Sequence, residues 1–215
     1  MTKPKQAAPS AILAIYSKWW MHFIAVTQFT DADVSIFQPK TTGKLMEIAL
    51  KPIWLKSIGM RGESYEIFIQ GKEVVDLSSS TIIKSNISVS YFEKKGKVMT
   101  SRQAVRYDFH PDTGGKGEPI FHAQVGSIKQ EIVGIENTEC FRGCTHVEAL
   151  GKYIQSIRIP TPFLGFFGVM YGILADCQAD KLRESVAKIG RPENLQVANI
   201  SKTLQHDNHL AWYPI

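Results

Sequence analysis

The first recurring pattern of apolar positions has a helical period. Ile12, Tyr16, Trp19, Phe23 and Val26 return at three- and four-residue spacing behind Pro9-Ser10. That spacing predicts an amphipathic helix of roughly five turns. Residues 1–8 ahead of it read as a frayed terminus, and Thr30-Asp31 ends it or caps a short successor. Residues 34–60 fit strands over 45–50 and 53–58, or a helix broken before Pro52. Proline disfavours helix at the residue before it, which favours the strands.

The period then falls to two. Residues 65–70 and 73–77 are apolar runs on either side of Gly71-Lys72 and read as a hairpin. A second hairpin follows, with 81–92 and 98–110 flanking the turn Glu93-Lys94-Lys95-Gly96-Lys97. The glycine- and proline-rich stretch 111–119 is a surface loop. Residues 120–125 resume as a strand, and 129–135 offer another. Beyond that, 144–152 read as a short helix and 153–159 as a strand stopped by Pro160. Thr161 and Pro162 suit the start of a helix over 163–177, apolar on nearly every face and carrying Gly165, Gly168 and Gly172. Residues 180–189 form an amphipathic helix stopped by Gly190 and Pro192. The tail 195–215 is polar until Trp212-Tyr213, aromatics suited to anchoring it on the body.

The expected fold is therefore α+β: a curved antiparallel β-meander of roughly five to seven strands, with a long N-terminal helix and C-terminal helices packed on one face. A chain of 215 residues suits a single domain, 1–215. Its 44% hydrophobic content is ample for a core and argues against long disorder. The net charge of +5 tolerates anionic partners, but lysines and arginines are scattered rather than gathered into a nucleic-acid tail. Three cysteines are too few for a disulfide scaffold, so a reducing, cytoplasmic compartment is expected. The apolar stretch 11–16 is interrupted at Ser17-Lys18 and lacks a cleavage site, which argues against a signal peptide. The run 163–175 is shorter than the ~20 residues needed to span a bilayer, so no membrane partner is expected.

Alternation along the central strands separates two residue sets, because successive side chains point to opposite faces. Val105, Tyr107 and Phe109 oppose Arg102, Arg106, Asp108 and His110. Phe121, Ala123 and Val125 oppose His122 and Gln124, while Ile87, Val89 and Tyr91 oppose Ser88 and Ser90. If these strands are neighbours, one face gathers Ser88, Ser90, Arg106, Asp108, His110, His122 and Gln124. On such a face His110 and His122 would serve as general base and acid near neutral pH, with Asp108 orienting one imidazole. Arg106 would hold a phosphate or carboxylate, with Gln124, Ser88 and Ser90 as further ligand contacts. A solvated antiparallel sheet face shows the same alternation with no function at all. Two histidines at comparable positions, rather than Lys, Glu or Thr, tilt the pattern towards a site.

Other candidates carry less. Lys94, Lys95, Lys97 and Arg102 at the second hairpin would touch a nucleic-acid backbone, with Tyr91 or Phe92 stacking bases, although lysine-rich tips are also solubility devices. Cys140, Cys144 and His146 form C-x3-C-x-H, whose spacing lacks the paired knuckles of a structural zinc site, so no metal and no cofactor are expected. His206, Asp207 and His209 belong to the polar tail. P-loop, dinucleotide-fingerprint, G-x-S-x-G and H-E-x-x-H motifs are missing from the sequence. The reading drawn is a non-catalytic binding module for an anionic ligand or nucleic acid. The alternatives are a homodimeric interaction protein joined through an edge strand or Trp19 and Trp20, and an enzyme acting on phosphoesters or nucleic acid.

Overall fold

The computed structural model describes residues 7–28, 36–60, 63–109, 121–125, 141–148, 158–160, 165–177 and 196–197. Helix α1 spans Pro9–Thr27, with proline in its first turn, where the missing N–H costs nothing. It ends on Gln28 in the left-handed conformation, whose N–H reaches back to the Ile24 carbonyl. The buried side chains are Ile12, Tyr16, Trp19, Trp20, Phe23, Ile24 and Thr27. This stripe is wide enough to bury both adjacent tryptophans, at 4% and 1% exposure. Both therefore face the core, and neither offers an open apolar surface for a partner.

Strands β1 (Phe37–Thr42), β2 (Leu45–Met60), β3 (Glu63–Asp76), β4 (Thr81–Lys95), β5 (Val98–Phe109) and β6 (Phe121–Val125) pair antiparallel in sequence order. The short strand β8 (Arg158–Pro160) extends that path beside β6. Two further strands run parallel to their neighbours: β7 (Thr145–Glu148) on β5 and β9 (Gln196–Val197) on β4. The α+β meander read from the sequence is the fold observed. Helix α2 (Phe166–Cys177) packs with α1 on one sheet face. The predicted helix 180–189, the strand 129–135 and the anchor Trp212-Tyr213 lie outside the described residues.

Two local readings change. The first hairpin does not exist, because β3 runs straight through Gly71 and Lys72. A Cβ on Gly71 would lie 2.1 Å from the Asn86 carbonyl oxygen and 2.8 Å from the Ile87 Cα. The glycine therefore admits the close approach of β4 rather than a turn. Of the helix expected over 144–152, the described part Thr145–Glu148 is strand β7 instead, whose Thr145 N–H donates to the Lys97 carbonyl at 2.7 Å, and 149–152 lie outside the described residues. Residues 98–101 of β5 extend past the end of β6, and β7 fills that length of edge. The second hairpin forms with a tighter turn than read, because β4 continues through Glu93-Lys94-Lys95: Lys95 faces Val98 across Gly96-Lys97, with Gly96 at φ +60°.

Prolines stand where a sheet tolerates them. Pro39 lies on edge strand β1, and Pro52 sits at the register shift between Leu50 and Ile53 in β2. The main core lies between the helices and one face of the sheet. Ile12, Tyr16, Trp19, Trp20 and Phe23 of α1 meet Phe166, Phe167 and Met170 of α2 over Met46, Ile48, Ile67, Ile69, Ile87 and Val89. Phe166 contacts the rings of Tyr16, Trp19, Trp20 and Phe37 at centroid separations of 5.5–6.4 Å. Ring pairs of this kind contribute about 0.5–1.5 kcal/mol each beyond their buried area. A second, smaller cluster of Phe68, Phe92, Met99, Ala104 and Phe141 lies on the opposite face, with Trp54 and Cys144 against it.

Candidate functional site

Register decides which side chains meet, since residues directly opposite on antiparallel strands share a face. Gln70 of β3 faces Ser88 of β4, Ser88 faces Arg106 of β5, Arg106 faces Gln124 of β6, and Gln124 faces Arg158 of β8. The next row runs Lys72, Asn86, Asp108, His122 and Pro160. A third holds Phe68, Ser90 and Ala104. The strands carrying the candidate residues are thus neighbours, with Ser88, Ser90, Arg106, Asp108, His122 and Gln124 at register positions of one face. His110 lies outside the described residues.

The polar half of this face is a hydrogen-bonded network. Arg106 Nε donates to Asp108 Oδ2 at 2.8 Å, and Arg106 Nη2 donates to Gln124 Oε1 at 2.6 Å. The Asn86 amide donates to Asp108 Oδ1. The Asp108 side chain is 2% exposed while that of Arg106 keeps 30%. A buried carboxylate thereby orients a guanidinium that still reaches solvent. Ser88, at 3%, and Ser90, at 0%, are buried rather than solvated.

The remainder of the face is crowded yet incompletely satisfied. Ser90 Oγ, Ser101 Oγ and Gln70 Oε1 are buried with no hydrogen-bond partner among the described residues. A buried polar atom left unpaired costs about 1–3 kcal/mol. Ser101 joins this face because the register shifts between Tyr91 and Phe92, so that Ser101 lies opposite Phe92. Ser88, Ser90, Ser101 and Ala104 make a floor of small side chains on β4 and β5. Phe68 and Phe92 stand on one side of it, with Arg106 and Gln124 on the other.

The same register shift removes Arg102 from the Arg106 set. As the extra residue of the bulge, it escapes simple alternation, and its guanidinium bonds Glu93 through Nε and Nη2. Lys95 bonds the other oxygen of Glu93. These two cations, Lys95 first, hold the Glu93 carboxyl below the usual glutamate range. Lys94 and Lys97 are exposed beside them. Cys144 is half-buried against the Phe92 cluster, Cys140 lies outside the described residues, and no metal-binding group of His, Cys, Asp or Glu occurs among those described.

A further polar constellation, unsuspected from the sequence, lies in the main core. Glu73, 1% exposed, accepts hydrogen bonds from Tyr16 Oη at 2.6 Å, from Ser85 Oγ at 3.0 Å and from the Phe166 N–H at 3.0 Å. Burial pushes its carboxyl up, against the opposing pull of those three donors. Burial and the neighbouring carboxylate push the Tyr16 phenol well above its ordinary value. Asn86, Gln70, Ser101 and Glu73 are the residues that sequence reasoning missed. For Asn86 the signal was present, since the alternation of Ser90 and Ser88 continues to it.

Among the described residues no helix is long and apolar enough to cross a membrane. Compared with known proteins, the chain matches no family model, no curated protein and no solved structure.

Proposed function

We propose that the chain is a non-catalytic binding module that takes an anionic ligand, a phosphate ester in the first instance, on the face built by β3, β4, β5, β6 and β8. The observation that carries this reading is the row Gln70, Ser88, Arg106, Gln124 and Arg158, which holds two arginines and no acid. Arg106 and Arg158 stand two strands apart, about 10 Å at the usual spacing. Asp108 and Gln124 hold Arg106 in one orientation before any ligand arrives, which lowers the ordering cost of binding. Three cysteines, too few for a disulfide scaffold, suit a reducing, cytoplasmic setting.

A second reading, catalysis on the same ligand class, is favoured by one observation: Asp108 and His122 are directly opposed in register. A nucleic-acid surface at the hairpin tip is less favoured, because Lys95 and Arg102 are both engaged by Glu93. Homodimerisation through the β1 edge is likewise disfavoured by Pro39, which cannot donate to an added strand.

The test is a titration of the full chain with a ribodinucleotide carrying one phosphodiester. Binding is expected to weaken with salt at a slope of about −0.7 on logarithmic axes for one phosphate. Arg106→Gln is expected to cost about 1.5–3 kcal/mol of affinity, roughly tenfold or more. A dinucleotide recovered intact supports the binding module, and a cleaved one supports the enzyme. Equal affinity in wild type and Arg106→Gln sinks both.

A further inference from the structure

We infer that Glu73 is a proton-linked latch that docks helix α2 onto the sheet, closing when its carboxyl takes up a proton and loosening when that proton is lost. The inference is independent of the ligand reading, because Glu73 lies on the helix-covered face of the sheet. Three chain segments converge on this one side chain. Tyr16 comes from α1, Ser85 from β4, and the Phe166 N–H is the first amide of α2. An N–H at a helix start has no partner within its own helix, so Glu73 Oε1 provides the acceptor that fixes where α2 begins.

Its hydrogen-bond partners among the described residues are uncharged donors. From α1 the carboxyl faces Tyr16, from β2 Ile48, from β4 Ser85 and from α2 the Phe166 backbone. No Lys, Arg or His among the described residues bonds it, and Tyr16 is the other titratable group in contact. A buried carboxylate with no cation is stabilised as the neutral acid. In the neutral form Oε1 continues to accept from Phe166 and Ser85, while the acid O–H at Oε2 donates to the Tyr16 oxygen, which turns from donor to acceptor. The docked state therefore holds a proton that the released state, with Glu73 in water, gives up.

The sign follows from linkage. Burial raises Glu73 in the docked state, the three hydrogen bonds oppose that shift, and the net direction is upward from the ordinary 4.5. The stabilising contribution is full below 4.5 and is lost as pH rises through the docked value. Tyr16 stays protonated throughout this window, since its own shift is also upward.

The experiment uses methyl NMR of the full chain. Met170 on α2 reports docking, and Met99 in the opposite cluster is the control. In urea sufficient to release about half of α2 at pH 5, the docked-to-released ratio at Met170 is expected to fall up to tenfold per pH unit within the window. Met99 is expected to lag behind Met170. In Glu73→Gln the ratio at Met170 is expected to hold steady over the same range. Should Glu73→Gln fail to fold, Tyr16→Phe removes a donor that pulls Glu73 down, and the transition is expected at higher pH. A flat wild-type profile, an equal fall in Glu73→Gln, or a Tyr16→Phe transition that stays or moves lower overturns the latch.

Discussion

The two faces of the sheet solve the same problem differently. On the helix-covered face, α1 and α2 bury a continuous apolar cluster, and the one acidic side chain buried there among the described residues, Glu73, meets three donors. On the other face, a compact phenylalanine cluster adjoins a network of Asn86, Asp108, Arg106 and Gln124. There, two fully buried serine hydroxyls have no partner among the described residues. A face built only for stability closes its polar accounts. The second face leaves some open beside a partly exposed arginine, and the proposed ligand belongs there.

Substitutions separate the faces by size and sign of effect. The largest loss is expected on the helix face. Phe166→Ala removes ring contacts to Tyr16, Trp19, Trp20 and Phe37 and is expected to cost about 3–5 kcal/mol in urea unfolding. Gly71→Ala couples both faces, because the new methyl meets β4 backbone at 2.1 Å. It is expected to destabilise by about 1–3 kcal/mol, since two strands must separate to admit it. Equal stability to wild type would mean that the close approach at Gly71 is absent.

Effects on the second face are smaller and divide by sign. Asp108→Ala strips an acceptor from both Asn86 and Arg106, with an expected loss of about 1–3 kcal/mol and weaker dinucleotide binding. Ser90→Ala removes a buried hydroxyl without a described partner, so the free protein is expected to gain up to about 1 kcal/mol. A loss of stability in Ser90→Ala would show that the hydroxyl is already satisfied. At the hairpin tip, Lys95→Ala removes a solvent-facing lysine from its ion pair with Glu93 and is expected to leave stability little changed, with dinucleotide affinity unchanged.

The sequence revealed one face far better than the other. Period-two alternation in 87–91, 105–109 and 121–125 announced which side chains share a side, and the observed register brings those strands together. Gly71-Lys72 misled, because glycine between apolar runs looks alike whether it turns a hairpin or admits a neighbouring backbone. That single misreading also hid Glu73. Once β3 is continuous, Ile67, Ile69, Gly71, Glu73 and Val75 alternate onto the helix face and place a carboxylate in the core. Ser101 escaped because the register shift beside Phe92 breaks the alternation rule, and nothing local in the sequence marks it. Likewise Trp19 and Trp20 are both buried because α2 and the sheet pack on α1 over a broad stripe, a tertiary fact that helical spacing alone does not carry.

The central claim, that Arg106 anchors an anionic ligand on the second face, is tested most directly at its own Nε–H. The nitrogen-15 resonance of that group, assigned by its loss in Arg106→Lys, is followed while a ribodinucleotide is added at constant ionic strength. The account predicts a saturable shift of the Arg106 signal that saturates only at higher dinucleotide concentration in Asp108→Ala, where the guanidinium loses its orienting carboxylate. An Arg106 signal that stays in place, or drifts without saturating, would contradict it.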